Sequence, residues 1–126
     1  MNAAVRLLFA ALVAIASAAC ITPSIPIPPP EPTSMAFAID AQAGEATFTY
    51  AAEPNYSGAT VYVFNRTAGI GIIATARADG SVGPTAPFPA QVGDNVAVTF
   101  ETDEASVSTC VVVRDGVPSA VEYCTQ

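Results

Sequence analysis

The stretch NVAVTFETDEASVSTCVVV, residues 95–113, decides the fold. Val96, Val98 and Phe100 fall on one face, and Ala97, Thr99 and Glu101 fall on the other. Val107, Thr109, Val111 and Val113 continue the same alternation. A period of two is the signature of a strand with one buried face, because successive side chains of an extended chain point to opposite sides. The C-terminus pairs back onto this stretch. If Cys110 faces Cys124, then Val111 meets Tyr123 and Val113 meets Val121 on the apolar face. Cys110 with Cys124, Val112 with Glu122, and Arg114 with Ala120 fall on the other face, leaving residues 115–119 (DGVPS) as the loop. One register thus satisfies both the core pattern and a cystine.

Outward from there, the same period recurs. Phe37 and Ile39 alternate with Ala36, Ala38 and Asp40, Phe48 and Tyr50 with Thr47 and Thr49, and Val61 and Val63 with Thr60 and Tyr62. Ile70, Ile72 and Ala74 share a face opposite Ile73, Thr75 and Arg77, and Val121 and Tyr123 close the series. Turn formers separate the runs: Pro54-Asn55, Ser57-Gly58, Asp79-Gly80, Gly93-Asp94-Asn95 and Asp115-Gly116. No helical apolar stripe appears after residue 34. About seven short strands in so few residues predict an all-β, antiparallel β-sandwich over residues 35–126.

Residues 1–34 read differently. Met1 to Arg6 carries one positive charge, and Leu7 to Ala16 (LLFAALVAIA) is ten apolar residues without a break. That run is too short for a spanning helix, which needs about 20 residues, and has the length of a secretory leader ending at residue 19. Ser17-Ala18-Ala19 also suits ordinary cleavage and release. With the cysteine that follows, Ser17-Ala18-Ala19-Cys20 resembles the lipobox of bacterial lipoproteins, departing from it at Ser17, where Leu is usual. The resemblance implies fatty acylation (palmitate or a similar chain) at Cys20, cleavage before it, and a membrane anchor. Ile21 in place of Asp points by the same analogy to the outer membrane. Of the three cysteines, lipidation at Cys20 leaves Cys110 and Cys124 as one pair, which an exported compartment permits. Residues 21–34 (ITPSIPIPPPEPTS) hold six prolines, which favour an extended polyproline spacer of roughly 40 Å at about 3.1 Å per residue. The expected organisation is a leader over 1–19, a lipidated cysteine and proline-rich linker over 20–34, and one domain over 35–126.

Three stretches, GATVYVFNRTAG (58–69), ARADGSV (76–82) and AQVGDNVAVTFE (90–101), look like a bacterial immunoglobulin-like domain. Val82, where an aromatic is common, and the proline-rich Pro84 to Pro89 depart from that pattern. The resemblance implies an immunoglobulin-like sandwich of the kind used as extracellular spacers, adhesion modules or carbohydrate-binding appendages.

Composition excludes much else. The chain has no His, all four basic residues are Arg, and eleven residues are acidic, for a net charge of −7. Loss of Arg6 with the leader makes the mature chain more acidic still, which argues against nucleic acid as a partner. Without His or Lys, the commonest general base and the Schiff-base amine are missing, and no nucleophile–base pair stands out, so no enzymatic activity is expected. Residues 69–74 (GIGIIA) fit the G-x-G-x-x-A dinucleotide pattern, but the β-branched run that follows cannot supply the helix the motif needs. No cofactor is expected, and Gly69 and Gly71 read as a turn or bulge entering a strand. Asp79, Asp94, Glu101, Asp103 and Glu104 form an acidic set without D-x-D-x-D spacing. Tyr50, Tyr56, Tyr62 and Tyr123 are the polar aromatics, with Tyr62 pointing away from Val61 and Val63 toward solvent or a partner. Asn55-Tyr56-Ser57 and Asn65-Arg66-Thr67 match the glycosylation sequon. The expectation is a non-catalytic, lipid-anchored cell-envelope protein displaying an interaction or structural module to a protein or glycan partner. The alternative is a ligand-binding lipoprotein using the acidic loops for calcium or the tyrosines for carbohydrate.

Overall fold

The computed structural model describes residues 26–116 together with 123 and 124. Among these residues the chain forms seven strands: β1 (Met35–Asp40), β2 (Glu45–Tyr50), β3 (Thr60–Asn65), β4 (Ile70–Thr75), β5 (Phe88–Pro89), β6 (Asn95–Glu101) and β7 (Ser106–Val112). They make two antiparallel sheets, ordered β1-β2-β5 and β4-β3-β6-β7. This is the all-β sandwich that the alternation predicted.

The inner faces are the alternating sets. Ala46, Phe48 and Tyr50 of β2, Val61 and Val63 of β3, and Val96, Val98 and Phe100 of β6 are all buried. Pairing puts Phe37 opposite Phe48, Val63 opposite Val98 and Val61 opposite Phe100. Tyr56 stacks on Phe100 with ring centroids 4.2 Å apart, and Tyr50 lies 4.9 Å from Phe100 at a tilt. This aromatic cluster concentrates the apolar burial at the end of the sandwich where the chain enters.

Two hairpins share one turn design. Asp40 Oδ1 accepts the Gln42 and Ala43 N–H groups, and Gly44 N–H returns to Asp40 O. Asn65 Oδ1 likewise accepts Thr67 and Ala68 N–H, and Gly69 N–H returns to Asn65 O. Gly69 closes its turn at φ +72°, a conformation that a Cβ disfavours. Two residues on, Gly71 lies inside β4, where a Cβ would run into the Val63 carbonyl oxygen.

Three features differ from the sequence expectations. The first is the edge built by residues 82–89. Val82 exchanges hydrogen bonds with Tyr50, Thr85 with Phe48, and Phe88 pairs with Ala46. Prolines 84, 87 and 89 interrupt this edge strand, so no alternating pattern betrays it, yet Phe88 is fully buried. The second is the C-terminal hairpin. Val111 does bridge Tyr123, and Cys110 is joined to Cys124 with Cα atoms 5.3 Å apart, as the pairing arithmetic required. However, Tyr123 is 62% exposed, so it does not join the buried face that the pairing assigned to it. Asp115 and Gly116, expected in the hairpin loop, reach across to β1: Gly116 bridges Phe37, and Asp115 Oδ1 accepts the Ile39 N–H. Val121 lies outside the described residues.

The third is the proline-rich segment, which is not a free spacer along its whole length. Pro30 and Pro32 are buried, Ile27 packs against the core, and residues 32–34 form a turn of 3₁₀ helix leading into β1. The packed unit therefore begins before residue 35. The physical reason is that proline, unable to donate hydrogen bonds, still offers an apolar ring and a carbonyl acceptor.

Candidate functional site: a clamped entry segment and an uncharged sheet face

The entry segment is held by three hydroxyl groups. Tyr56 donates to Pro28 O, Thr109 Oγ1 donates to Pro30 O at 2.7 Å, and Tyr50 Oη accepts the Glu31 N–H at 2.9 Å. These side chains come from the β2–β3 connection, β7 and β2, so both sheets grip the chain as it enters. Burial pushes the Tyr50 and Tyr56 hydroxyls above the ordinary tyrosine value, since a phenolate there would lose its water. Both tyrosines therefore belong to the core and its clamp and are not among the exposed tyrosines open to a ligand. Tyr62 and Tyr123 are the two that face outward.

The outward face of the four-stranded sheet follows from register. Val61, Val63 and Asn65 point inward, so Thr60, Tyr62 and Phe64 point out. Tyr62 lies between Ile73 and Thr99, and Phe64 between Gly71 and Ala97. Thr60 lies between Thr75 and Glu101. On β7, Ser108 faces Thr99 with their hydroxyls 2.9 Å apart, and Cys110 faces Ala97. Glu101 is the one charge in these rows. Ile73 is 69% exposed and Phe64 45%, so a band of apolar side chains stands in solvent on a strongly acidic protein.

The acidic set does not converge. Asp79 accepts Ser81 N–H and Oγ within its own turn, and these bonds hold its carboxyl below the usual carboxylate range. Asp94 sits at the opposite end of the sandwich, where Oδ2 accepts Asn65 Nδ2 at 2.8 Å and Gln91 N–H at 2.9 Å. Glu101, Asp103 and Glu104 line a cleft of about 350 Å³ with Ile27, Asn55 and Gly58. Among the described residues no three His, Cys, Asp or Glu side chains group so as to hold a metal ion.

Asn65 was legible only as a sequon, and its structural role was missed. It is fully buried, and Nδ2 donates to Pro89 O of the opposite sheet as well as to Asp94. That amide is committed to the sheet-to-sheet bridge and is not available to a glycan in the folded state. Cys20 lies outside the described residues. No family model, curated protein or solved structure matches the chain.

Proposed function

We propose that this protein is a lipid-anchored, non-catalytic component of a bacterial cell envelope, in which a small immunoglobulin-like sandwich is displayed as an interaction module. The observation that carries the reading is the exposed, nearly uncharged outer face of β4-β3-β6-β7 around Tyr62, Phe64 and Ile73. On a chain of net charge −7, a face with Glu101 as the one charge in its rows and the Arg66 guanidinium reaching Cys110 is where another macromolecule can approach with little repulsion. The strand order supports the immunoglobulin likeness, since it corresponds to A-B-E packed on C′-C-F-G in the lettering used for such domains. The anchor rests on Ser17-Ala18-Ala19-Cys20 and the proline run behind it. Because residues 27–34 are packed onto the domain, residues 21–26 are left as spacer, a reach of about 19 Å instead of roughly 40 Å. The module would stand close to the bilayer, entering from a fixed direction.

Mass spectrometry of the mature N-terminus from a bacterial host tests the anchor. An acylated cysteine at position 20 is expected, with Cys20→Ser abolishing the lipid and moving the chain to the soluble fraction. An unmodified, freely soluble native chain would overturn the envelope reading.

A further inference from the structure

A sandwich of two open sheets has four edges, and three of them are blocked. The edge beside β2 is interrupted by Pro84, Pro87 and Pro89. Along β1, Gly116 and the Asp115 carboxylate take up the Phe37 carbonyl and the Ile39 N–H. Alongside β7, Cys124 donates to Cys110 O and Tyr123 bridges Val111. The fourth edge, β4, has no charge, no proline and, among the described residues, no hydrogen-bonded strand besides β3.

The direction of its free backbone groups follows from two bonds. Ala76 N–H donates to Ala59 O, and Arg66 N–H donates to Asn95 O. With the β3–β4 and β3–β6 registers, both place the polar groups of Ile70, Ile72 and Ala74 toward β3. The N–H and C=O groups of Gly71, Ile73 and Thr75 therefore point away from the sheet, with no strand paired to them among the described residues. We propose that β4 is a self-association edge, at which two copies of this chain pair antiparallel about a two-fold axis at Ile73.

The geometry is self-complementary at that register. Ile73 faces Ile73 of the second copy, and Gly71 faces Thr75 in both directions. Every outward-pointing N–H and C=O of the three residues then finds a partner, giving six hydrogen bonds. The faces also agree. The two exposed Ile73 side chains meet on the outer face, and Ile72 meets Ala74 on the inner one. Shifting the pairing by one residue would place inward side chains opposite outward ones. Charge selects the site as well. Copies of an acidic protein repel, and β4 with the outward Thr60, Tyr62 and Phe64 beside it is charge-free. Three paired residues per copy bury less than the about 1,200 Å² of a standard interface, so the dimer is a weak one. The proposal goes beyond the outer-face reading, since edge pairing extends that face instead of covering it, and it does not depend on the lipid anchor.

Cysteine trapping in the full-length chain with Cys20→Ser tests it apart from that anchor. In Ile73→Cys, the two sulfurs would sit on a hydrogen-bonded antiparallel pair, the arrangement that Cys110 and Cys124 already occupy with Cα atoms 5.3 Å apart. Oxidation of this variant should trap at least about tenfold more covalent dimer than Val92→Cys, an equally exposed site elsewhere, because opposed Cα atoms at about 5.5 Å suit a disulfide. Thr75→Cys should trap little, since its opposite residue is Gly71. In sedimentation equilibrium the Cys20→Ser chain should show concentration-dependent dimer that Ile73→Lys abolishes while keeping its circular dichroism spectrum. Equal trapping at residues 73 and 92, preferential trapping at residue 75, or a monomer at every concentration would overturn the proposal.

Discussion

Replacing Asn65 by Asp is the sharpest probe of how the two sheets are joined. The substitution is nearly isosteric and leaves Oδ1 able to accept the Thr67 and Ala68 N–H groups at 3.0 and 3.1 Å. What changes is the other atom. An amide that donates to Pro89 O at 3.0 Å and Asp94 Oδ2 at 2.8 Å becomes an oxygen facing two acceptors. Two carboxylates at that separation repel by about 6 kcal/mol at an effective dielectric constant of about 20. Retaining one proton on the pair is cheaper. Against an ordinary aspartate value of about 3.9, it costs about 4 kcal/mol at pH 7. The shared proton can serve only one of the two acceptors, and the other adds about 1–2 kcal/mol. The expected loss is therefore about 5–6 kcal/mol at pH 7, a large part of the about 5–15 kcal/mol that holds a domain together.

The sign of the pH dependence follows. The folded variant holds a proton that the unfolded chain releases above pH 4, so its stability falls as pH rises from about 4 to 7, by about 1.4 kcal/mol per unit. Asn65→Ala, which removes all four bonds and adds no charge, should cost about 3–5 kcal/mol with no such slope. Urea denaturation followed by circular dichroism between pH 5 and 8 measures both relative to the native chain. A pH-independent loss in Asn65→Asp would refute the argument that the amide is a donor wedged between Pro89 and Asp94.

Three further outcomes are expected. Tyr56→Phe removes the donor to Pro28 O and should cost about 1 kcal/mol, with faster amide exchange at Glu31 as the clamp loosens. The native chain should lose stability as pH rises above about 10, because the unfolded tyrosines ionise there while buried Tyr50 and Tyr56 resist; this loss should be smaller in Tyr56→Phe, as read from urea midpoints between pH 8 and 11. Cys110→Ala with Cys124→Ala opens a loop of sequence separation 14 and should lower stability by about 3 kcal/mol in the same denaturation assay.

Fold class, face assignment and one cystine were legible in the chain itself. Period-two alternation names the inward residues wherever a strand has one wet face, which is why Val61, Val63, Val96, Val98 and Phe100 could be placed before any pairing was known. The Cys110 and Cys124 register was legible because only one pairing satisfies both the apolar face and the sulfurs. Phe88 was not, because prolines erase alternation in the edge strand that carries it. Nor was the clamp, since nothing local marks Tyr50, Tyr56 and Thr109 as partners of backbone groups 19 to 79 residues away in the chain.

Side-chain direction along a strand is a local property, set by the geometry of an extended backbone, and the chain therefore carries it in its order of residues. Which strand lies at an edge is a property of the assembled sheets. Only the tertiary structure could decide that residues 28–34 are packed instead of free, that Asn65 bridges two sheets, and that β4 is a sheet edge bonded, among the described residues, to β3. Each depends on groups distant in sequence coming within hydrogen-bonding range, which no residue order states by itself.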